Sequence, residues 1–217
     1  MSIRSFVQRG RITSSQRKAI KKLWPYYGVE LTSELDLNTL FGRSNNKHLE
    51  IGFGNGDALI AMAKSHPEYD YIGVDVYTPG VGKVLINIET SQLTNVKIMQ
   101  ADAVEILNNN LLSSCLDAVY IFFPDPWPKR CHHKRRLIQT NFINLLAKCI
   151  KSNGKLHLAT DWEHYAQHML SVLEASPKFI NHTNGFSQRP LERPVTKFEK
   201  RGLRMGHGVW DLMYRRC

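Results

Sequence analysis

An α/β fold, with helices on both faces of a mostly parallel sheet, is predicted by three features of the sequence. From residue 47 onward, short apolar runs alternate with amphipathic stretches, as parallel strands and crossover helices require. The first run leads directly into a turn with three glycines, and the runs that follow end on acidic residues. The 217 residues suit a single domain with one core. We therefore expect one site, at one edge of the sheet.

Seven strands and four clear helices are predicted in order along the chain. Continuous apolar runs, typical of strands covered on both faces, lie at 48–52, 71–76, 96–100, 117–123 and 155–160, and two further strands are expected at 179–183 and 209–215. Amphipathic stretches predict helices at 56–65, 82–92, 136–151 and 162–175. Residues 1–45 are polar and basic and are interpreted as an extension packed on the main domain, which spans 46–217.

The composition favours a polyanionic partner and a reducing compartment. Lysine and arginine outnumber aspartate and glutamate by 29 to 19, which leaves a formal charge of +10, although a basic surface without such a partner is the alternative. The four cysteines show no paired short spacing, and no apolar segment opens the chain, so a cytoplasmic location is expected. The longest apolar stretch, 118–123, is too short to cross a bilayer.

Three glycines at alternate positions, Gly52, Gly54 and Gly56, follow the first predicted strand. Such a turn lets the backbone bend tightly and approach a ligand, whereas a plain turn needs one glycine. In dinucleotide-binding turns the third glycine comes one residue later. A nucleotide-dependent oxidoreductase is therefore an alternative that the spacing disfavours.

Four acids lie in or just after the first four strands: Glu50, Asp75, Asp102 and Asp125. Ligands of open α/β sheets bind beyond the carboxyl ends of the strands. Carboxylates there suit a ligand with ribose hydroxyls, an adenine amino group, an ammonium and a sulfonium, and they repel a pyrophosphate. We therefore expect S-adenosylmethionine, with Asp75 at the ribose, Asp102 at the adenine edge, and Glu50 at the glycine loop and the methionine end. For any one acid alone, a helix cap is the alternative.

A rigid loop and a basic stretch follow the fourth strand. Three prolines at 124, 126 and 128 stiffen the backbone around Asp125 and Trp127. Cations are unfavourable where a helix begins, so we expect Lys134, Arg135 and Arg136 to contact RNA phosphates. No metal site is predicted, because the adjacent residues at 131–133 are too cramped for zinc.

Two later segments are open to more than one interpretation. Asp161 adds an acid at the end of the fifth strand. The helix after it carries His164 and His168 at a spacing that could bind zinc. Because the His-Glu-x-x-His order is absent, histidines that serve packing or the surface are favoured. Thr196 and Glu199 lie in a basic, proline-braced stretch, where Thr-x-x-Glu is also the pattern of a helix capping box.

Along nearly its whole length the chain resembles the bacterial tRNA (guanine-N7)-methyltransferase family. The most specific phrases are Pro-Asp-Pro-Trp-Pro-Lys at 124–129 and Arg-Pro-Val-Thr-Lys-Phe-Glu at 193–199. The other matching segments are 4–6, 10–11, 49–54, 79–82, 102–105, 134–136 and 159–162. The resemblance implies a class I methyltransferase (Rossmann-like) fold, and methylation of guanosine 46 in the tRNA variable loop.

The resemblance also implies roles for individual residues. The residues implied to contact S-adenosylmethionine are Glu50, Asp75, Asp102 and Asp125. Asp125 is also the implied catalytic residue. The implied substrate-binding residues are Lys129, Asp161, Thr196, Lys197, Phe198 and Glu199. One departure is Asp75, where the family usually has glutamate, and its shorter reach alters the detail of the ribose contact.

The expected chemistry depends on position more than on a strong base. Guanine N7 has a free lone pair and no proton to lose, so holding it in line with the sulfonium methyl and stabilising the charge that forms are the main tasks. We expect Asp125 to do both. A noncatalytic RNA-binding module is the alternative, which the set of acids disfavours. Monomer and homodimer are both compatible with the sequence.

Overall fold

The computed structural model describes residues 10–31, 34–204, 206 and 208–217, so the matching segment 4–6 lies outside the described residues. Its strands form one seven-stranded sheet in the order β3-β2-β1-β4-β5-β7-β6. They are β1 (Lys47–Ile51), β2 (Asp70–Val74), β3 (Val96–Met99), β4 (Leu116–Phe122), β5 (Ile150–Thr160), β6 (Phe179–Asn181) and β7 (Trp210–Arg216). β7 runs antiparallel to both β5 and β6, and the other pairings are parallel. The predicted mostly parallel sheet is confirmed.

Helices cover both faces of the sheet. They are α1 (Ser14–Tyr27), α2 (Leu37–Phe41), α3 (Asp57–Ser65), α4 (Thr78–Thr90), α5 (Ala103–Asn109), α6 (Thr140–Cys149), α7 (Glu163–Glu174) and α8 (Lys197–Arg204), with a 3₁₀ helix at Arg130–Arg135. None of the helices in the described part of the chain combines the length and the apolar character needed to cross a bilayer.

Alternation along the strands builds a separate core on each face. In β4, Val119 and Ile121 pack with α5, α6 and α7, whereas Ala118 and Tyr120 belong to the cluster formed with α1, α3 and α4. Each fully buried aliphatic side chain contributes about 1.5–3 kcal/mol. Because both faces are covered, the carboxyl ends of the strands are left as the open edge.

Three elements differ clearly from their predicted bounds. α4 begins at Thr78 and not at 82, because Pro79 is tolerated in a first helical turn, and a Cβ atom at Gly80 would collide with the carbonyl oxygen of Gly54. This close approach packs α4 on the glycine loop. α6 begins only at Thr140 and ends at Cys149, and β5 starts at the next residue instead of at 155.

Candidate active site

A cleft of about 510 Å³ opens at the carboxyl ends of β1 to β4. Its volume lies within the range of small-molecule sites. The predicted site residues that line it are Glu50, Gly52, Gly54, Asp75, Asp102, Asp125, Arg135 and Thr196, together with Trp127. The structure therefore brings the four strand-end acids together, as the sequence predicts.

The glycine loop places backbone against this cleft. Gly52 and Gly54 have φ angles of 77° and 55°, a left-handed conformation that glycine adopts without strain. Gly56 also has a positive φ, but it is not among the residues that line the cleft, and a Cβ atom there would collide with Val84 of α4. Gly56 thus serves helix packing, while the other two leave room beside the cleft.

Glu50 is the most deeply buried of the four acids. Its side chain on β1 is 3% exposed, and its Oε2 atom has no hydrogen-bond partner in the described part of the protein. Burial raises the pKa of Glu50 to about 8, with smaller contributions from the carboxylates of Asp75 and Asp57. A buried acceptor without a partner is costly, so this position suits a ligand that brings a donor or a positive charge.

Asp75 and Asp102 hold local backbone as well as lining the cleft. The two oxygens of Asp75 accept from the N–H groups of Gly54 at 2.8 Å and Tyr77 at 2.9 Å, which ties the glycine loop to the end of β2. Burial raises the pKa of Asp75, and these hydrogen bonds oppose that shift. Asp102 caps α5 by accepting from Val104 N at 2.8 Å. Since a carboxylate has about four acceptor positions, capping leaves capacity for a ligand.

The proline-rich loop after β4 carries Asp125 and contains two residues with strained backbone, Phe123 and Trp127. Phe123 and Trp127 have φ angles of 54° and 43°, which for residues with side chains costs about 1–3 kcal/mol each. Such strain persists where surrounding contacts enforce it, and it is typical of functional loops. Asp125 is exposed on this loop, yet partial desolvation raises its pKa, and Asp75 adds a smaller contribution.

Arg136 provides one of those enforcing contacts. Its Nε donates to the carbonyl oxygen of Pro126 at 2.8 Å, and its guanidinium lies 4.8 Å from the ring centroid of Tyr165. Nη2 lies 3.1 Å from Nδ1 of His164. The expected phosphate contact of Arg136 does not fit this position, because the residue is 0% exposed. Lys134 and Arg135 remain exposed beside it.

We expect Arg136→Lys to lower the free energy of unfolding by about 2 kcal/mol, since a lysine cannot reproduce the geometry of the Pro126 hydrogen bond. Urea denaturation followed by circular dichroism measures this change. Arg135→Lys, at the exposed neighbouring position, is the matched control and should stay within about 0.5 kcal/mol of the wild type. Equal effects at the two positions would contradict the anchoring role.

The stretch 193–199 is locked by a buried charge network. Arg193 donates to both oxygens of Glu199, at 2.7 and 3.0 Å, and to Asp211 at 3.1 Å, while Asp211 also contacts His157 at 2.7 Å. Glu199 N donates to the hydroxyl of Thr196 at 3.2 Å, so half of the expected capping box is present. Glu199 is 3% exposed and acts here as an anchor that presents Thr196 to the cleft.

The other predicted substrate-binding residues are less closely gathered. Lys129 is exposed at the end of the proline-rich loop, and Asp161 is half-buried beside Gly202 of α8. Neither of them lines the cleft. The side chains of Lys197 and Phe198 lie outside the described part of the structure.

The two histidines at zinc-compatible spacing contact the protein itself. His164 contacts Arg136, and Nε2 of His168 lies 2.8 Å from the carbonyl oxygen of Ile138. Across the residues that the structure describes, no group of three metal-binding side chains is assembled. The geometry therefore favours the packing interpretation of these histidines.

Comparison with known proteins extends the likeness to the whole chain. A family model described as a putative methyltransferase matches residues 44–212. Two curated relatives, from Nitrosospira multiformis and Alkalilimnicola ehrlichii, are 50% and 52% identical, cover 99% of this chain and are matched over 94% and 92% of their own lengths. Both are named tRNA (guanine-N(7)-)-methyltransferase.

Solved structures show the same fold at low identity. The 16S rRNA methyltransferase KamB superposes with a TM-score of 0.61 at 12% identity, over 88% of this chain and 98% of its own. TrmN from Thermus thermophilus superposes with a TM-score of 0.57 at 14% identity, over 83% of this chain and 47% of its own. At these identities the likeness concerns the fold alone.

The sheet order, the glycine loop and the acid-lined cleft define a class I methyltransferase that uses S-adenosylmethionine. Its full-length relatives narrow the class further. The chain belongs to the tRNA (guanine-N(7)-)-methyltransferase family.

Proposed function

We propose that this protein methylates N7 of guanine in tRNA, and that its target is guanosine 46 of the variable loop. The observation that carries this proposal is the placement of Asp125 and Trp127, on a strained loop, in the same cleft as Glu50, Asp75 and Asp102. The acids at the ends of β1 to β3 suit a cationic methyl donor, and the loop after β4 offers a carboxylate and an indole to an acceptor base. The names of relatives about 50% identical over the full chain support the same reaction.

The described residues fit the methyl donor. When bound, S-adenosylmethionine supplies an electrophilic methyl group on a positively charged sulfur. Glu50, whose Oε2 lacks a partner, suits the ammonium of the methionine end. Asp75 has room to accept from ribose hydroxyls, and Asp102 from the adenine amino group.

Asp125 and Trp127 are proposed to receive the guanine. Trp127 offers a stacking surface for an unpaired base. The carboxylate of Asp125 orients the guanine and stabilises the positive charge that its ring gains as N7 is methylated. No proton leaves N7, so Asp125 works in its ionised form and not as a general base.

The target guanine must leave a stacked helix to reach this cleft. In A-form RNA the major groove is too narrow for side chains to reach N7, and enzymes that modify bases take them out of the stack. Exposed cations beside the loop, Lys129, Lys134 and Arg135, are proposed to hold the flanking phosphates. Arg135 also lies 5.0 Å from the ring centroid of Trp127, which links the basic surface to the base-binding loop.

Methyl transfer to unmodified tRNA, followed by nucleoside mapping of the product, tests the proposal. We expect one N7-methylguanosine, at position 46, and no incorporation into the same tRNA with adenosine at that position. A methyl group at another nucleoside, or none at all, would overturn the proposed function.

The double substitution Lys134→Ala/Arg135→Ala should weaken tRNA binding and flatten its salt dependence. Two lost phosphate contacts lower the slope of log K against log salt by about 1.5. Filter binding of tRNA at salt concentrations from about 50 to about 200 mM measures the slope, because phosphate contacts weaken strongly over this range. Lys64→Ala/Lys148→Ala removes the same charge from two exposed helix positions and should leave it unchanged. An equal slope in both double variants would count against phosphate contact at the loop.

A further inference from the structure

A second cavity, of about 370 Å³, lies on the sheet face that carries α3 and α4. Strands β1, β2, β4, β5 and β7 contribute to it, and the end of α3 and the chain at 190–193 flank it. Phe122 lines both this cavity and the cleft, so the two adjoin. Apart from Arg193, which anchors the stretch 193–199, the reaction proposed above uses none of the other residues of this cavity.

Aromatic rings make up much of the lining. Tyr120 lies 5.7 Å from Phe122 and 5.8 Å from His48, measured between ring centroids, and Phe122 meets His157 edge-on at 5.0 Å. Burial lowers the pKa of His48 to about 4, so its ring is neutral at physiological pH. These rings are nearly buried and lie tilted or edge-on to one another, so they form an uncharged wall of low dielectric beside the cations of the cavity.

Two cations oppose each other across β5 and β7 beside these rings. Lys155 and Arg215 are direct partners in the antiparallel register, and both line the cavity. Like charges placed directly opposite are destabilising. The Lys155 side chain is only 18% exposed, and its nearest carboxylate in the described chain, Glu192, lies 3.8 Å away and is itself 75% exposed. This arrangement leaves the pair poorly neutralised.

The other cations of the lining are already paired. Lys151 contacts both oxygens of Asp117, at 2.8 and 2.9 Å, and Arg193 is held by Glu199 and Asp211. Arg215, by contrast, donates to a backbone carbonyl, that of Asn153, at 3.0 Å. The uncompensated positive charge is therefore concentrated at Lys155 and Arg215.

We propose that this cavity is a phosphate subsite, in which Lys155 and Arg215 bind one phosphate of the RNA substrate. The inference rests on the proposed function, since it takes the RNA to be the tRNA that enters the adjoining cleft. An anion between the two cations removes their repulsion, and the uncharged rings beside them weaken the screening of that attraction by water.

Lys155→Met tests the subsite, because methionine keeps an unbranched apolar chain and removes the charge. Without RNA, the melting temperature should hold or rise, as the repulsion from Arg215 is lost. The dissociation constant for tRNA should rise about fivefold at 0.1 M salt, with a salt slope smaller by about 0.8. Arg215→Met, at an exposed position, should do the same, and Lys148→Met on α6 is the matched control.

Calorimetric titration of the wild type and both variants with guanosine monophosphate gives a second measurement, and we expect the variants to match the wild type. Wild-type slopes in both Lys155→Met and Arg215→Met would overturn the subsite. Loss of guanosine monophosphate binding with an unchanged tRNA slope would assign the cavity to a free nucleotide and overturn the RNA assignment. A parallel methylation assay keeps the two proposals apart. If the wild-type protein forms no N7-methylguanosine in that assay, the proposed function is contradicted, and not the subsite alone.

Discussion

Asp125→Ala is expected to lower kcat for methyl transfer about 10²–10³-fold, the loss typical of removing one preorganised electrostatic contact to a transition state. The affinity for S-adenosylmethionine should fall only in part, because Glu50, Asp75 and Asp102 remain in the cleft. Single-turnover methylation of tRNA measures the first effect, and calorimetric titration of the donor measures the second.

Asp125→Asn separates charge from shape, since it keeps the side-chain volume and one acceptor. We expect it to lose nearly as much activity as the alanine variant. Desolvation raises the pKa of Asp125. On acidification, turnover of the wild type should therefore begin to fall at a higher pH than protonation of an ordinary aspartate would produce. Glu163→Ala, at an exposed acid that does not line the cleft, is the control. Full turnover in Asp125→Ala would remove the catalytic role.

Glu50→Gln is expected to weaken S-adenosylmethionine binding about tenfold to a hundredfold. This is the affinity that the loss of one hydrogen bond to a charged group costs. The same substitution should stabilise the free protein at pH 8. Burial raises the folded-state pKa of Glu50 from 4.5 to about 8, so the folded form holds its proton more tightly than the unfolded form. Stability is therefore lost as pH rises between these values, and glutamine removes that loss.

Proton release on ligand binding checks the same residue independently. At pH 7 a group with a pKa of about 8 is mostly protonated, and pairing with the ligand's ammonium ionises it. Calorimetry in two buffers of different ionisation enthalpy should show most of one proton released by the wild type and little by Glu50→Gln. Glu105→Gln, at an exposed position on α5, should behave as the wild type. Unchanged affinity in Glu50→Gln would contradict its role.

Much of the fold and of the donor site could be predicted from local pattern. Continuous apolar runs indicate strands buried on both faces, and glycines at alternate positions indicate a tight turn after the first. Because parallel strands end at one edge, Glu50, Asp75, Asp102 and Asp125 had to meet there once the sheet was assumed. These inferences need only the residue types and their spacing.

The roles of neighbouring cations could not be separated in that way. Arg135 and Arg136 are adjacent and identical in type, yet one is exposed and the other is fully buried beneath the proline-rich loop. Glu199 likewise belongs to a motif that implies RNA contact, and it pairs inside the protein with Arg193. Spacing along the chain gives no indication of which side of a segment will be covered.

The sequence by itself determined the class of fold, the glycine turn and the acids at the strand ends, because each follows from a periodicity or a spacing within one segment. Only the tertiary structure decided which cations are free, how 193–199 is anchored through Asp211, and that Lys155 faces Arg215. These features join residues up to 60 positions apart along the chain. Contacts of that kind depend on how the elements pack, and they leave no local pattern to detect.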